Sequence, residues 1–201
     1  MYAYSLINQF GRKIVETFPP RFVTEYEWLI RNLGQAGTER YQKRYRSYWA
    51  MNAARLSTEF YVTYFEILNT AASEAPTLSE VVLALYEPSA RRDGTKSIQF
   101  SFATKLLHMA NPDLPIYDKN VAQFYSFQPP PSTISRDSRI RALVGFHELL
   151  RSEYAGVLEQ GLLKGPIDEF RNQFRPQLLT DHRVIDFLIW QTVELQAKGD
   201  L

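Results

Sequence analysis

The chain contains no cysteine and only three histidines among its 201 residues. The absence of cysteine excludes disulfides, cysteine nucleophiles and zinc or iron–sulfur sites held by thiolates. Three histidines, His108, His147 and His182, give little support to a histidine-rich metal site. We therefore expect neither a bound metal nor a cofactor.

Long apolar runs are also missing from the sequence. No stretch approaches the roughly 18 apolar residues that cross a bilayer, and the N-terminus lacks the basic segment and apolar run of a signal peptide. We therefore expect no membrane partner and a cytoplasmic location. The formal net charge is only +1, so the chain has no overall positive field, and any nucleic-acid site would depend on local basic patches.

Aromatic residues are abundant, at 14% of the chain, with 12 Tyr and 13 Phe. Such rings can fill a helical core, and they can also stack on nucleobases. Apolar residues recur at helical spacing along most of the chain, with little strand signal. The predicted fold is therefore all-α, a compact bundle of helices. Its length suits a single domain over 1–201, or two helical subdomains over about 1–90 and 91–201.

The pattern also predicts where individual helices begin and end. The stretch 38–69 contains neither Gly nor Pro, which indicates one long helix or two with a bend. Thr77 followed by Glu80 is typical of a capping box at a helix start. The polar stretch 91–97, around Asp93-Gly94, is predicted as a turn. The remaining helices are predicted over 2–18, 22–33, 78–86, 101–110, 118–124, 139–160, a short stretch from 165, and 183–198.

Two residues in the most informative stretch, 100–127, could carry chemistry. Lys105 lies near the start of the predicted 101–110 helix and off its apolar face, where the helix dipole and burial would both favour a neutral amine. Asp118 begins the next helix, where free backbone N–H groups can fix its carboxylate. A fixed anion beside a developing sugar cation provides electrostatic stabilisation. The alternative is an ordinary solvated lysine and an ordinary helix cap.

The run FATKLLHMANPDLPIYDKNVA, residues 102–122, resembles the core of the helix–hairpin–helix DNA glycosylase superfamily, especially its compact branch with the 8-oxoguanine-glycosylase fold. Lys105 matches the nucleophile of that family. Pro115, Asp118 and Val121 match its P-x-x-D-x-x-V motif. The family hairpin is Gly-rich, whereas residues 98–102 stand in its place here and the nearest glycine is Gly94.

This resemblance implies a fold, an activity and a partner. The fold would be a helix–hairpin–helix glycosylase core with a cleft between two helical layers. The activity would be excision of a damaged or modified base from DNA: the Lys105 amine attacks the sugar carbon and forms a Schiff base that can proceed to strand cleavage. Asp118 would stabilise the cationic sugar and help to activate the lysine.

DNA binding would need cations for the phosphates and rings for the extruded base. Basic residues form three local groups, over 40–46, 91–96 and 136–141, each of which is also compatible with a solvated helix face. The candidates for the base pocket or its surroundings are Phe102, Tyr117 and His108, the last of which could instead be a partly buried helix residue. The candidate nucleic-acid-binding residues are Arg91, Arg92, Lys96, Lys43 and Arg44.

Two other functions remain open on the sequence. The segment RALVGFH, from Arg141 to His147, resembles the Arg-x5-His motif of the HEPN-type all-α ribonucleases, which implies RNA cleavage. A non-catalytic helical interaction module would use the aromatic residues as a partner surface. Asp186 and Trp190, one turn apart on the last helix, could pair through a carboxylate–indole hydrogen bond, which we interpret as core and cap chemistry. The sequence makes no prediction of the target base or of the oligomeric state.

Overall fold

The computed structural model describes residues 2–88 and 96–201, with side chains from residue 4 onward in the first range. These residues form ten α-helices and no β-strand, so the all-α prediction is confirmed. No helix in the two ranges is both long and apolar enough to cross a membrane. The helices are α1 (Tyr2–Thr17), α2 (Pro20–Arg31), α3 (Glu39–Tyr48), α4 (Thr58–Glu74), α5 (Leu78–Tyr86), α6 (Phe100–Ala110), α7 (Lys119–Phe124), α8 (Arg136–Glu159), α9 (Lys164–Phe174) and α10 (Asp181–Lys198).

Helix α10 is largely buried, with 11 of its 18 residues withdrawn from solvent. It packs against α1, α7, α8 and α9, while α6 packs against α4 and α5. Buried apolar residues from all ten helices join one hydrophobic cluster, for example Ile7 of α1, Tyr64 of α4 and Ile185 of α10. Most of the aromatic residues contribute to this cluster, which is the ordinary role expected of them.

Side-chain caps fix the starts of several helices. The Thr77–Glu80 capping box is confirmed: the Thr77 side chain accepts from the Glu80 backbone N–H, and the Glu80 carboxylate accepts from the Thr77 N–H at 2.8 Å. Thr180 caps α10 by accepting from the N–H of Arg183. Asp118 caps α7 through the N–H of Val121. These caps are local interactions, which explains why a sequence pattern can predict them.

The stretch 38–69 forms two helices, and the link between them is longer than a bend. Helix α3 ends at Tyr48, a 3-10 turn follows over Met51–Ala54, and α4 begins at Thr58. Ala50 and Arg55 adopt left-handed backbone conformations at the two ends of this turn. The link buries Met51 and Leu56, so tertiary burial of these side chains outweighs helix continuation.

The segment 98–102, which stands in the place of the family hairpin, is partly helical in the structure. Phe100 to Phe102 form the first turn of α6, so this part of the expected hairpin is helical. The Gln99 side chain makes no cap hydrogen bond to α6. The predicted turn around Asp93-Gly94 lies in 89–95, outside the described residues.

Candidate active site

Lys105 and Asp118 line one cavity of about 440 Å³. This volume lies within the range of roughly 300–1,000 Å³ that is usual for small-molecule sites. The cavity is formed by the end of α1, the start of α2, the end of α3, one face of α6, the start of α7 and one face of α10. Seven aromatic side chains contribute to its walls: Phe18, Phe22, Tyr48, Trp49, Phe102, Phe187 and Trp190.

The Lys105 ammonium lies against aromatic rings. Its Nζ atom is 5.3 Å from the ring centre of Phe102 and 5.5 Å from that of Trp49. Burial lowers the pKa of Lys105 to about 8, while the Asp118 charge opposes this change and the Arg183 charge adds to it. A larger fraction of this amine is therefore neutral near pH 7 than of an exposed lysine.

The Asp118 carboxylate is held at the start of α7. Its Oδ1 accepts the Val121 N–H at 2.9 Å, and its backbone is extended, as a helix cap requires. Asp118 also lines a second depression of about 540 Å³, together with Lys119 and Tyr117. Because Asp118 and Lys119 border both hollows, a chain-like ligand could occupy the depression while one of its groups enters the cavity.

Helix α10 adds a buried cation and a buried carboxyl group to the cavity wall. The Arg183 guanidinium lies 3.9 Å from the ring centre of Phe187, and its Nη2 donates to the Tyr48 hydroxyl at 2.8 Å. Its Nη1 is 3.6 Å from Oδ2 of Asp186. Sequence reasoning did not assign either residue to the site. The available signal was two charged residues, three positions apart, within an otherwise apolar helix pattern.

The predicted base-pocket residues lie in three different places. Phe102 lines the cavity, and Tyr117 lines the neighbouring depression. His108 is fully buried outside the cavity lining, where Nε2 bonds the Tyr26 hydroxyl at 2.7 Å and Nδ1 bonds the Leu114 carbonyl at 2.6 Å. With both ring nitrogens engaged, His108 acts as a structural link between α2 and α6.

Three of the predicted phosphate-binding residues, Lys43, Arg44 and Lys96, are not among the described residues that line the cavity. Lys43 and Lys96 are exposed, and Lys96 donates to Glu87 at 3.2 Å. Arg44 forms a bidentate pair with Glu25. Arg91 and Arg92 lie outside the described residues. The exposed cation at the cavity is instead Lys119, which directly follows Asp118 and which the sequence analysis did not select.

Arg141 and His147 do not meet in one hollow. Arg141 is exposed and donates to the Ser138 hydroxyl at 3.1 Å. His147 is buried, and its Nε2 bonds the Pro115 carbonyl at 2.9 Å. This arrangement gives no shared site for an RNA phosphate.

The predicted hydrogen bond between Asp186 and Trp190 is wrong. The Asp186 carboxylate instead accepts from the Tyr154 hydroxyl at 2.8 Å. The Trp190 ring packs against the rings of Phe18 and Phe22. The two residues do share the cavity wall, because positions four apart lie on one helix face.

In the described ranges, no group of three or more acidic or histidine side chains is arranged to hold a metal ion. Comparisons with protein-family models, with curated proteins and with solved structures find no match to this chain. The function is therefore inferred from the geometry of the cavity and from the residues that line it.

Proposed function

We propose that this chain is a DNA N-glycosylase, with AP-lyase capability, that excises a damaged or modified base. The observation that carries the proposal is that Lys105 and Asp118 line one cavity with aromatic walls. The proposed reaction requires an amine and a carboxylate beside the sugar carbon C1′. Extrusion of a nucleotide from DNA requires a pocket with stacking rings. Both requirements are compatible with this cavity.

Lys105 would be the nucleophile. With a pKa of about 8, roughly a tenth of the amine is neutral at pH 7, against less than a thousandth for an exposed lysine. The neutral amine can attack C1′ of the sugar as the base departs, and the product can open to a Schiff base. Such a Schiff base leads to strand cleavage and can be trapped by borohydride.

Asp118 would stabilise the positive charge that develops on the sugar. Its carboxylate is held by the Val121 N–H, so little rearrangement is needed during the reaction. The interaction between Asp118 and Lys105 is through space rather than a hydrogen bond. Both residues line the same cavity, in which the sugar would lie.

The other functions considered from the sequence have less support. The interaction-module hypothesis predicts no hollow around Lys105 and places Lys105 and Asp118 on opposite faces, whereas both line the same cavity. The ribonuclease hypothesis needs Arg141 and His147 together, whereas one is exposed and the other buried. The glycosylase is therefore the function that the geometry favours.

The test is covalent trapping. Purified protein is incubated with single- and double-stranded oligonucleotides, each carrying one of several base lesions or an abasic site, and then treated with borohydride. We expect a covalent protein–DNA product with at least one substrate. Lys105→Ala should abolish this product, and Asp118→Asn should reduce its rate by about 10²-fold or more, although asparagine still caps α7.

Lys119→Ala is the matched control, because Lys119 is a second lysine at the same cavity. Its removal should weaken DNA binding but leave the covalent product. A product that persists in Lys105→Ala and disappears in Lys119→Ala would assign the nucleophile to Lys119. Absence of any product and of any base release across the substrate panel would refute the glycosylase proposal.

A further inference from the structure

A second carboxyl group lies in the same cavity wall. Asp186 of α10 is only 3% exposed, and it lines the cavity that also contains Lys105 and Asp118. Its Oδ1 accepts from the Tyr154 hydroxyl at 2.8 Å. Its Oδ2 has no hydrogen-bond partner among the described residues. A buried carboxyl oxygen without a hydrogen-bond partner is rare, and this one lies 3.6 Å from Nη1 of Arg183, which also lines the cavity.

The surroundings of Asp186 favour its protonated form. Burial raises the pKa of Asp186 to about 7, and the Asp118 charge adds to this, while the Arg183 charge, the Tyr154 hydroxyl and the Ile116 backbone N–H oppose it. A considerable fraction of Asp186 therefore carries a proton near neutral pH. The charged or titratable side chains that interact with Asp186 are Arg183, Tyr154, Asp118, Tyr125, Tyr26 and Tyr48.

We propose that Asp186 is the general acid that protonates the departing base, and that the substrate base is an uncharged purine. The proposal rests on the proposed glycosylase function. Two carboxyl groups in one cavity, one half-buried at a helix start and one buried beside a tyrosine, provide an anion and an acid for the same reaction. An uncharged purine leaves much more easily when a ring nitrogen is protonated as the bond breaks.

The proposed step conserves atoms and charge. The proton on Oδ2 of Asp186 moves to a ring nitrogen of the purine, and the C1′–N9 bond breaks with its electron pair moving to the base. The lone pair of the neutral Lys105 Nζ forms the new bond to C1′. The products are a neutral base, a cationic amine on the sugar and the Asp186 carboxylate. Arg183 Nη1, 3.6 Å from Oδ2, then stabilises that carboxylate.

The experiment compares two kinds of leaving base in the same DNA context. One oligonucleotide set carries an uncharged purine lesion, 8-oxoguanine or hypoxanthine, and the other carries 7-methylguanine, which already bears a positive charge. Single-turnover release of each base is measured for the natural chain and for Asp186→Asn. We expect Asp186→Asn to slow release of the uncharged purine by about 10²–10⁴-fold and to slow release of 7-methylguanine by far less.

The pH dependence gives a second readout. Release of the uncharged purine requires Asp186 to be protonated and Lys105 to be neutral. Loss of the Lys105 proton, with a pKa of about 8, raises the rate as pH increases. Loss of the Asp186 proton, with a pKa of about 7, lowers it. The result is a bell with its maximum between these values. Release of 7-methylguanine should lack the alkaline limb. Tyr154→Phe keeps the carboxyl group but removes a hydrogen bond that lowers its pKa, so the alkaline limb should move to higher pH.

Three results would overturn the assignment of Asp186. In the first, folded Asp186→Asn slows both leaving bases equally, as a structural role predicts. In the second, it slows neither. In the third, Tyr154→Phe leaves the alkaline limb in place, which would decide the matter if Asp186→Asn does not fold. A failure of the glycosylase proposal is distinguishable, because the natural chain would then release no base from any substrate and Lys105→Ala would have no effect.

Discussion

Lys105 lies against the rings of Trp49 and Phe102, and its side chain is partly buried. Burial of a charge among apolar groups opposes folding unless a partner compensates for the lost hydration. Asp118 compensates only in part, since the pKa of Lys105 remains lowered to about 8. The same surroundings that supply a neutral amine therefore reduce the stability of the folded chain.

This conflict predicts that Lys105→Met stabilises the protein. Methionine keeps most of the side-chain volume and removes the buried charge, so the free energy of unfolding at pH 7 should rise by about 1–2 kcal/mol. Between pH 8 and 10.5 the unfolded chain binds more protons at Lys105 than the folded chain does, so the natural protein gains stability with rising pH. The advantage of the variant should therefore be complete below pH 8 and shrink above it.

Urea denaturation at pH 7 and pH 9.5 measures this difference. Lys43→Met is the matched control, because Lys43 is exposed on α3 and its replacement should change the free energy of unfolding by no more than about 0.5 kcal/mol. A Lys105→Met variant less stable than the natural chain at pH 7 would show that the ammonium group is well compensated, contrary to our account.

The break between α3 and α4 is a feature that the helical spacing of the sequence does not locate. The spacing of apolar residues over 38–69 is compatible with continuous helix, and no Gly or Pro interrupts it. The break depends on left-handed conformations at Ala50 and Arg55, which those residue types rarely adopt. The link also places Trp49 and Ala50 in the cavity wall, so this irregular segment contributes to the candidate site.

Arg55→Gly should stabilise the protein through the same backbone feature. Arg55 has φ +51° and ψ +43° and is exposed. A residue with a Cβ atom in this conformation costs about 1–2 kcal/mol, and the greater flexibility of glycine in the unfolded chain offsets roughly half of that. Arg55→Ala is the matched control, because it removes the charged side chain but keeps Cβ. Thermal unfolding should rank Arg55→Gly above Arg55→Ala; the reverse order would contradict the proposed strain.

At the scale of the whole molecule, the cavity joins segments that are distant in the sequence. The helix class, most helix starts and the Lys105–Asp118 motif could be predicted because they depend on local spacing and caps. The contribution of Arg183 and Asp186 could not, since it requires α10 to lie beside α6 and the start of α7. Local sequence patterns do not indicate which helices lie side by side in the fold. The available indication in the sequence was the pair of charged residues, Arg183 and Asp186, within the otherwise apolar pattern of α10.

His108 connects the helices that hold this cavity in place. It lies on α6, bonds Tyr26 of α2, and bonds the carbonyl of Leu114 in the segment that leads to Asp118. Burial lowers the pKa of His108 to about 3, with the Arg183 charge adding to this. The folded chain therefore excludes a proton that the unfolded chain binds once the pH falls below about 6.5.

Between pH 6.5 and 3, the unfolded chain binds more protons at His108, so the free energy of unfolding should fall as pH falls, by up to about 1.4 kcal/mol per pH unit from this residue alone. His108→Gln should remove that part of the slope in urea denaturation series from pH 7 to pH 4.5. Tyr26→Phe, which removes the hydroxyl partner of the ring but not the ring itself, should lower stability at every pH while keeping the slope. If His108→Gln and the natural chain lose stability in parallel over this interval, the acid sensitivity of the fold arises from other titratable groups. Protonation of His108, and loss of its contacts with α2 and with the segment before Asp118, would then not be the cause.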